Sequence, residues 1–255
     1  MAGRMQDKVV VIVGASDERS MGAATARRLH AEGAKLVLAA RREDRVKAVA
    51  KPLGAVAVAC DISKEEDVEA LAAKAVEAYG RLDGAISFAG VDVGAALADT
   101  TRESLQLCCD VHIIGTAMFI KHMAASMGEG GGSIVITSSQ TAILAPPGLA
   151  AYSGTKKGGD QIVRVAAVEY GAQNIRVNSL SPGFTPSAMT AGYLEVPSIK
   201  AAFIREIPLG RLPTAEDMAN TALWLVSDEC FVTGQVIDVS GGQTLRRIPT
   251  AEEMS

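Results

Sequence analysis

The sequence predicts an α/β fold: a doubly wound, parallel seven-stranded sheet with helices on both faces. Three observations lead there. Seven short runs are apolar almost without interruption, which suits strands buried on both faces of a parallel sheet. Amphipathic stretches separate them, as crossover connections between parallel strands require. The 255 residues, 48% hydrophobic, contain no repeat and no linker-like shift in composition, so a single domain is expected over 1–255.

The strand runs, in order, are residues 8–13, 35–39, 55–59, 84–87, 133–137, 175–179 and 235–239. The helix after the first run turns Ala26 and Leu29 inward and is ended by Gly33. After the third, Ser63-Lys64-Glu65-Glu66 reads as a capping box, with Val68, Leu71, Ala75 and Tyr79 on one stripe and Gly80 as the stop. Residues 101–127 read as one helix, apolar around much of its circumference. Residues 185–208 break the alternation, with Pro186, Pro197 and Pro208 among Met189, Tyr193, Leu194, Val196, Ile199 and Phe203. They follow a strand's carboxyl end, where open α/β sheets bind ligands, and are expected to form a substrate lid. A helix pair that merely covers the sheet edge is the alternative.

Composition narrows the partners. A formal charge of −4 offers no general attraction for nucleic acid or an anionic membrane, so neither is expected. Residues 1–8 are polar and lead straight into a strand, unlike a signal peptide. No run is expected to reach the roughly 18 apolar residues that cross a bilayer. Cys60, Cys108, Cys109 and Cys230 show neither CxxC spacing nor a matching histidine pair. No metal site is therefore expected, and buried, reduced thiols in a cytoplasmic protein are.

The chemistry gathers at strand ends. The first strand runs into Gly14-Ala15-Ser16-Asp17-Glu18-Arg19-Ser20-Met21-Gly22, and a helix opens there. Glycine at such a turn lets the backbone approach a pyrophosphate, and the helix N-terminus supplies N–H donors. At the end of the second strand Ala40 is followed by Arg41 and Arg42, where a carboxylate would favour an unphosphorylated ribose. A guanidinium suits a 2′-phosphate, so NADP(H) is favoured and NAD(H) is possible. Two surface arginines opening a helix are the alternative. Beyond the fifth strand come Ser138-Ser139 and then Tyr152 and Lys156, one helical turn apart. An ammonium beside a phenol is expected to draw its pKa down from about 10, toward exchange of a proton with an alcohol or ketone.

With these residues the chain resembles the short-chain dehydrogenase/reductase family over nearly its whole length. The resemblance rests on the glycine turn, Cys60-Asp61-Ile62, Ala89-Gly90, Ser139, Tyr152 with Lys156, residues 178–183, Thr233-Gly234-Gln235 and Gly241-Gly242. It implies a Rossmann-type fold with Tyr152 as general acid/base and Ser139 orienting the substrate oxygen. Lys156 would hold the nicotinamide ribose and depress the tyrosine pKa. Gly14, Ser16, Arg19, Ser20, Met21 and Gly22 would cradle the cofactor. Asp61 and Ile62 would flank the adenine, and Ala89, Gly90, Pro182, Gly183 and Thr185 would line the ribose and nicotinamide. Gln140, beside Ser139, would meet the substrate. A homodimer or homotetramer is also implied.

The chain departs from the family pattern at three places. The glycine turn is two residues longer than usual, and Ser20 stands at its middle glycine. The wording Arg19-Ser20-Met21 resembles the enoyl-reductase branch, but that branch places six residues between its tyrosine and lysine. Ser87-Phe88-Ala89-Gly90 replaces Asn-Asn-Ala-Gly, and His112 falls where the family's relay asparagine stands. His112 shares a helical stripe with Leu105, Cys108, Gly115 and Phe119 and so faces inward. It is either a satisfied core histidine without chemistry, or it or its backbone carbonyl holds the water that links Lys156 to bulk, a relay whose imidazole would titrate near pH 6–7. The expected activity is NADP(H)-dependent interconversion of a secondary alcohol and a ketone. The substrate is expected to be mostly apolar (alicyclic, aromatic or steroid-like), against Gln140, Ile143, Leu144 and Pro146. Reduction of a 3-oxoacyl group on a carrier protein is one alternative, which the acidic turn Gly128-Glu129-Gly130-Gly131-Gly132 disfavours. A cofactor-binding regulatory or scaffold protein with weak turnover is the other.

Overall fold

A computed structural model describes residues 3–254. Its seven strands are β1 (Val9–Val13), β2 (Lys35–Ala40), β3 (Val56–Ala59), β4 (Gly84–Ser87), β5 (Gly132–Thr137), β6 (Ile175–Pro182) and β7 (Val236–Val239). They form one parallel sheet in the order β3-β2-β1-β4-β5-β6-β7. The order reverses between β1 and β4, which opens a crevice at the carboxyl ends of the strands.

Helices α1 (Met21–Ala31), α2 (Glu43–Ala50) and α9 (Ala215–Val226) cover one face, and α3 (Glu65–Tyr79), α5 (Gly115–Met127) and α6 (Ala150–Tyr170) the other. The strands' unbroken apolar runs serve both layers. Val9, Val11 and Val13 pack toward α3 and α5, while Val10 and Ile12 pack toward α1 and α9. Three short elements complete the set: α4 (Arg102–Cys109), α7 (Ala191–Leu194) and α8 (Pro197–Glu206).

Several expectations are corrected. Ser63 does not cap α3: its N–H and hydroxyl both go to Asp61 Oδ1, at 3.1 and 2.7 Å, and Lys64 stands at the N-cap without a side-chain bond. A carboxylate two residues upstream captures the serine before the helix can use it. Capping boxes form instead at Thr101 with Ser104 and at Thr214 with Asp217. Gly80 does end α3, at a φ of 77°.

The expected single helix over 101–127 is interrupted. A π-turn, Asp110–Ile114, lies between α4 and α5 and offsets their faces. Cys108, His112, Gly115 and Phe119 remain inward, but Leu105 is exposed. Contrary to expectation, the continuous stretch Arg102–Gly130 is long and apolar enough to cross a membrane by length and composition. Half of its most apolar window is buried inside the fold, where Phe119, Ile120 and Met123 belong to the core. It is a core helix.

Residues 185–208 carry α7 and α8. Phe203 and Ile207 form a small cluster of their own with Leu212, against which Phe184, Leu194, Ile199, Ile248 and Met254 pack. The chain's last described residues are thus packed against the segment 185–208.

Candidate active site

The carboxyl ends of the strands open into a cleft of ≈ 1820 Å³. Every site residue expected from the sequence lines it, except Gly22 and His112, which stand just behind its wall. Leu144 and Pro146 line it as well, whereas Ile143 is exposed elsewhere.

One end is a cradle. Gly14 follows β1 at a φ of 94°, a conformation costly to any residue with a side chain. A Cβ on Gly22 would lie 2.6 Å from the Gly14 carbonyl oxygen, so only glycine lets α1 start this close to the strand. Ser20 replaces a glycine usefully: its Oγ accepts from the Ala23 N–H at 3.1 Å and caps α1. The two extra residues close a tight turn, in which the Asp17 carbonyl accepts from Ser20 and the Asp17 carboxylate from the Arg19 N–H. No acidic residue occupies the first turn of α1, and its positive dipole end faces the cleft. Arg41 and Arg42 stand exposed at the tip of β2, lining the same end. A backbone cradle that a Cβ would fill, with cations beside it, fits a dinucleotide: Gly14–Gly22 for the pyrophosphate, Arg41 and Asp61 for the adenosine half.

Asp61 is partly committed already through Ser63. Burial raises its carboxyl pKa, but the Ser63 bonds and the Arg41 and Lys64 charges outweigh that and leave it below the usual range. Phe88, where the family has asparagine, packs beside Gly14, whose added Cβ would come within 3.0 Å of it. It fills space rather than replacing the lost hydrogen bonds.

The other end is catalytic in composition. Ser139 stands at the end of β5, and its Oγ accepts from the Thr141 N–H at 3.2 Å and the Thr141 hydroxyl at 3.1 Å. Ser138 turns the other way and donates to Asp160 Oδ2 at 2.8 Å. Tyr152 and Lys156 share one face of α6. Lys156 is buried, and its ammonium donates to the Thr137 carbonyl at 2.7 Å, 5.8 Å from the centre of the Tyr152 ring.

The expected fall in the Tyr152 pKa is reversed. Burial pushes the phenol up to about 12; its hydrogen bond with Ser139 works downward, and the Asp92 charge upward. The ammonium, spent on a carbonyl, does not offset this. Lys156 itself is brought down to about 8 by burial, against the pull of Asp160.

His112 lies in the π-turn, 3% exposed. Its Nε2 accepts from the Val91 N–H at 3.1 Å, so the ring proton sits on Nδ1 and is donated to Thr155 Oγ1 at 2.9 Å. Thr155 passes its own proton to the Ala151 carbonyl at 2.7 Å. The imidazole meets Tyr152 edge-on, with ring centres 5.3 Å apart. Burial and the Lys156 charge hold its pKa down at about 3, so the expected titration near pH 6–7 does not occur.

Sequence reasoning missed Thr137, Thr155, Asp92 and Asp160, and the wall formed by Ile248 and Met254. For Asp160 a signal existed, since four residues after Lys156 is the same helical face. Asp92 follows a strand end with no pattern to mark it.

The chain is similar to known proteins over almost its full length. A family model described as enoyl-(acyl carrier protein) reductase matches residues 14–244. The 2,5-dichloro-2,5-cyclohexadiene-1,4-diol dehydrogenase of Sphingobium indicum is 34% identical over 247 residues, covering 94% of this chain and 98% of that protein. Trans-4-hydroxycyclohexanecarboxylate dehydrogenase of Sinomonas cyclohexanicum is 32% identical over 256 residues, covering 96% and 95%. Among solved structures, a short-chain type dehydrogenase/reductase from Mycobacterium ulcerans superposes with a TM-score of 0.93 at 32% identity, covering 98% of this chain and 94% of that one.

Proposed function

Because this chain belongs to the short-chain dehydrogenase/reductase family, we propose that it is an NADP(H)-dependent enzyme interconverting a secondary alcohol and a ketone on a mostly apolar, cyclic substrate. One observation carries the chemistry: Ser139 and Tyr152 bring neighbouring hydroxyls to the cleft, with Lys156 one helical turn from Tyr152, beside a cradle fit for a dinucleotide. When bound, the nicotinamide supplies or accepts the hydride. A phenol that stays protonated at neutral pH is suited to donate to the oxygen of a ketone undergoing reduction, and its phenolate to take the proton back in oxidation. Ser139 holds that oxygen by a second hydrogen bond. Lys156, whose ammonium has donors to spare beyond the Thr137 carbonyl, would hold the ribose.

The substrate reading rests on the walls and on the relatives. Leu144, Leu149, Met189 and Leu194 give the substrate side an apolar lining. Two relatives are named for six-membered carbocycles bearing a hydroxyl. Asp92, whose carboxyl burial raises, lines the same side and would accept a hydrogen bond from a further hydroxyl. NADP(H) rests on Arg41 and Arg42 at the tip of β2. Enoyl reduction, which the matching model's description suggests, is disfavoured because only three residues separate Tyr152 from Lys156. The acidic turn read against a carrier protein has no bearing, since Gly128–Gly130 lies at the amino end of β5, away from the cleft. Exposed Leu105, Leu107, Ile114, Val165 and Val168 support self-association as a homodimer or homotetramer, and a cytoplasmic location goes with this reading.

Absorbance assays with NADPH and NADH over a panel of cyclic ketones and alcohols test the proposal. Preference for NADPH, with Arg41→Asp lowering it in favour of NADH, is the expected result. Cofactor preference unchanged by the substitution would make Arg41 ordinary surface charge, and no turnover of any cyclic ketone or alcohol would end the substrate reading.

A further inference from the structure

Among the described residues only two side chains with a formal charge are buried in the fold, Lys156 and Asp160. They stand four positions apart on α6, on one face. They do not form a contact pair. Lys156 donates to the Thr137 carbonyl, while Asp160 Oδ2 accepts from the hydroxyl of the next residue, Ser138. Both charges are therefore fastened to the same end of β5. Asp160 Oδ1 is sealed from solvent and has no hydrogen-bond partner among the described residues. A buried carboxylate with one oxygen unsatisfied is expensive and calls for a compensating interaction. Holding Ser138 alone does not supply one, because a neutral amide would accept that bond without the cost.

We propose that Asp160 is a positioning residue whose carboxylate is the counter-charge that keeps the Lys156 ammonium charged inside the fold. Coulomb attraction reaches across a helical turn when water is excluded, so contact is unnecessary. The direction of the effect agrees: burial pulls the Lys156 pKa down, and Asp160 is the foremost influence raising it. The other titratable groups around the ammonium are Tyr152 on α6, His112 in the π-turn and Cys108 on α4. Tyr152 and Cys108 are pushed up and His112 down, so all three are neutral at pH 7. Asp160 is the remaining acidic side chain buried beside the ammonium. The proposal deepens the oxidoreductase reading and rests on it for the role of Lys156.

Three variants test it: Asp160→Asn, Lys156→Met and the two together, measured by melting temperature and by reduction rate against pH. Asparagine is the same size and can still accept from Ser138, so Asp160→Asn removes charge and little else. It should move the alkaline fall of the reduction rate to lower pH by about one unit or more. Lys156→Met strands the buried carboxylate and should lower the melting temperature; adding Asp160→Asn should raise it again. The proposal is overturned by a folded Asp160→Asn enzyme whose alkaline fall has not moved. A double variant no more stable than Lys156→Met alone overturns it equally. If Asp160→Asn by itself does not fold, recovery of folding in the double variant supports the proposal and its failure rejects it. Melting temperatures need no turnover, so an error in the assigned reaction would show separately.

Discussion

On the sheet side of the cleft, the polar side chains are fastened to main chain or to each other inside the fold: Lys156 to the Thr137 carbonyl, His112 between Val91 and Thr155, Ser138 to Asp160. On the opposite side, α7, α8 and the residues after β7 rest on a separate cluster in which, among the described residues, only Phe203, Ile207 and Leu212 are buried. At about 1.5–3 kcal/mol for each such side chain, that cluster is modest beside the two layers that cover the sheet. Further attachments are ion pairs through Arg247 and side-chain bonds to main-chain carbonyls, from Ser198 to Met254 and from Arg246 to Arg205. The difference separates two tasks. On the proposed reading, proton transfer tolerates little displacement and falls on the side where side chains are tied to main chain, whereas the side held by the smaller cluster is the one suited to admit a substrate.

The largest effect should come from the rigid side. Tyr152→Phe removes only a hydroxyl, and turnover should fall about 10²- to 10⁴-fold while cofactor affinity, followed by fluorescence titration, stays near wild type. A melting temperature equally unchanged would place the loss in chemistry. Near-normal turnover would mean that another group handles the proton, and the division between the walls would lose its basis.

The rigid side was also the more legible in the sequence. Seven apolar runs and the spacing of Ser139, Tyr152 and Lys156 are local patterns, and backbone hydrogen bonding turned them into a sheet with those residues at its carboxyl edge. Electrostatics was not legible. Whether an ammonium meets a phenol or a carbonyl depends on which strand end lies beneath it, and Thr137 is distant in the chain from Lys156. The π-turn was hidden for a similar reason: Gly115 allows α5 to press against the Ile62 carbonyl, a tertiary contact that makes the extra residue worth accommodating. The lid's prolines marked a break in pattern, but nothing local announced that Ile248 and Met254 would return to cover it.

An intermediate effect is expected at His112, in stability more than in rate. Its pKa is held at about 3, below the ordinary 6.5, so folding favours the neutral ring. The stability this residue contributes is therefore complete above pH 6.5. It is lost as pH falls from there toward 3, because the unfolded chain takes up a proton that the folded chain refuses. His112→Leu abolishes that loss but strands the Val91 N–H, at a cost of about 1–3 kcal/mol. Its melting temperature should lie below wild type at pH 7, and the gap should close on acidification. His112→Asn, whose amide oxygen can accept from Val91, should fall between the two. The pH–rate profile between 6 and 8 should be unmoved in both variants. A shifted profile would restore the histidine to the proton path and make this part of the rigid wall responsive to pH.

The smallest effect belongs to the segment expected to act as a lid. Arg247 bridges Glu206 on α8, at 2.9 Å, and Glu253 beyond β7, through two bonds of 2.7 Å. Ser198 donates to the Met254 carbonyl at 2.9 Å, so α8 is tied to the residues after β7 at a second point. Arg247 first, and then the Thr250 N–H, hold the Glu253 carboxyl down at about 2, against an ordinary 4.5. A lowered carboxyl pKa stabilises the folded arrangement above 4.5 and loses that contribution as pH drops toward 2. The clasp should thus be constant from pH 5 to 8 and loosen only in acid, which proteolysis after residue 248 would register. Its contacts are at the surface, so Arg247→Ala should raise the KM for a bulky cyclic substrate only by roughly two- to fivefold, with kcat little changed. Added salt should raise the wild-type KM toward that of the variant and leave the variant nearly unaffected, since screening removes what the substitution has already taken away. A fall in kcat at constant KM would show instead that the lid reaches the Ser139–Tyr152 pair. The two walls would then act as one.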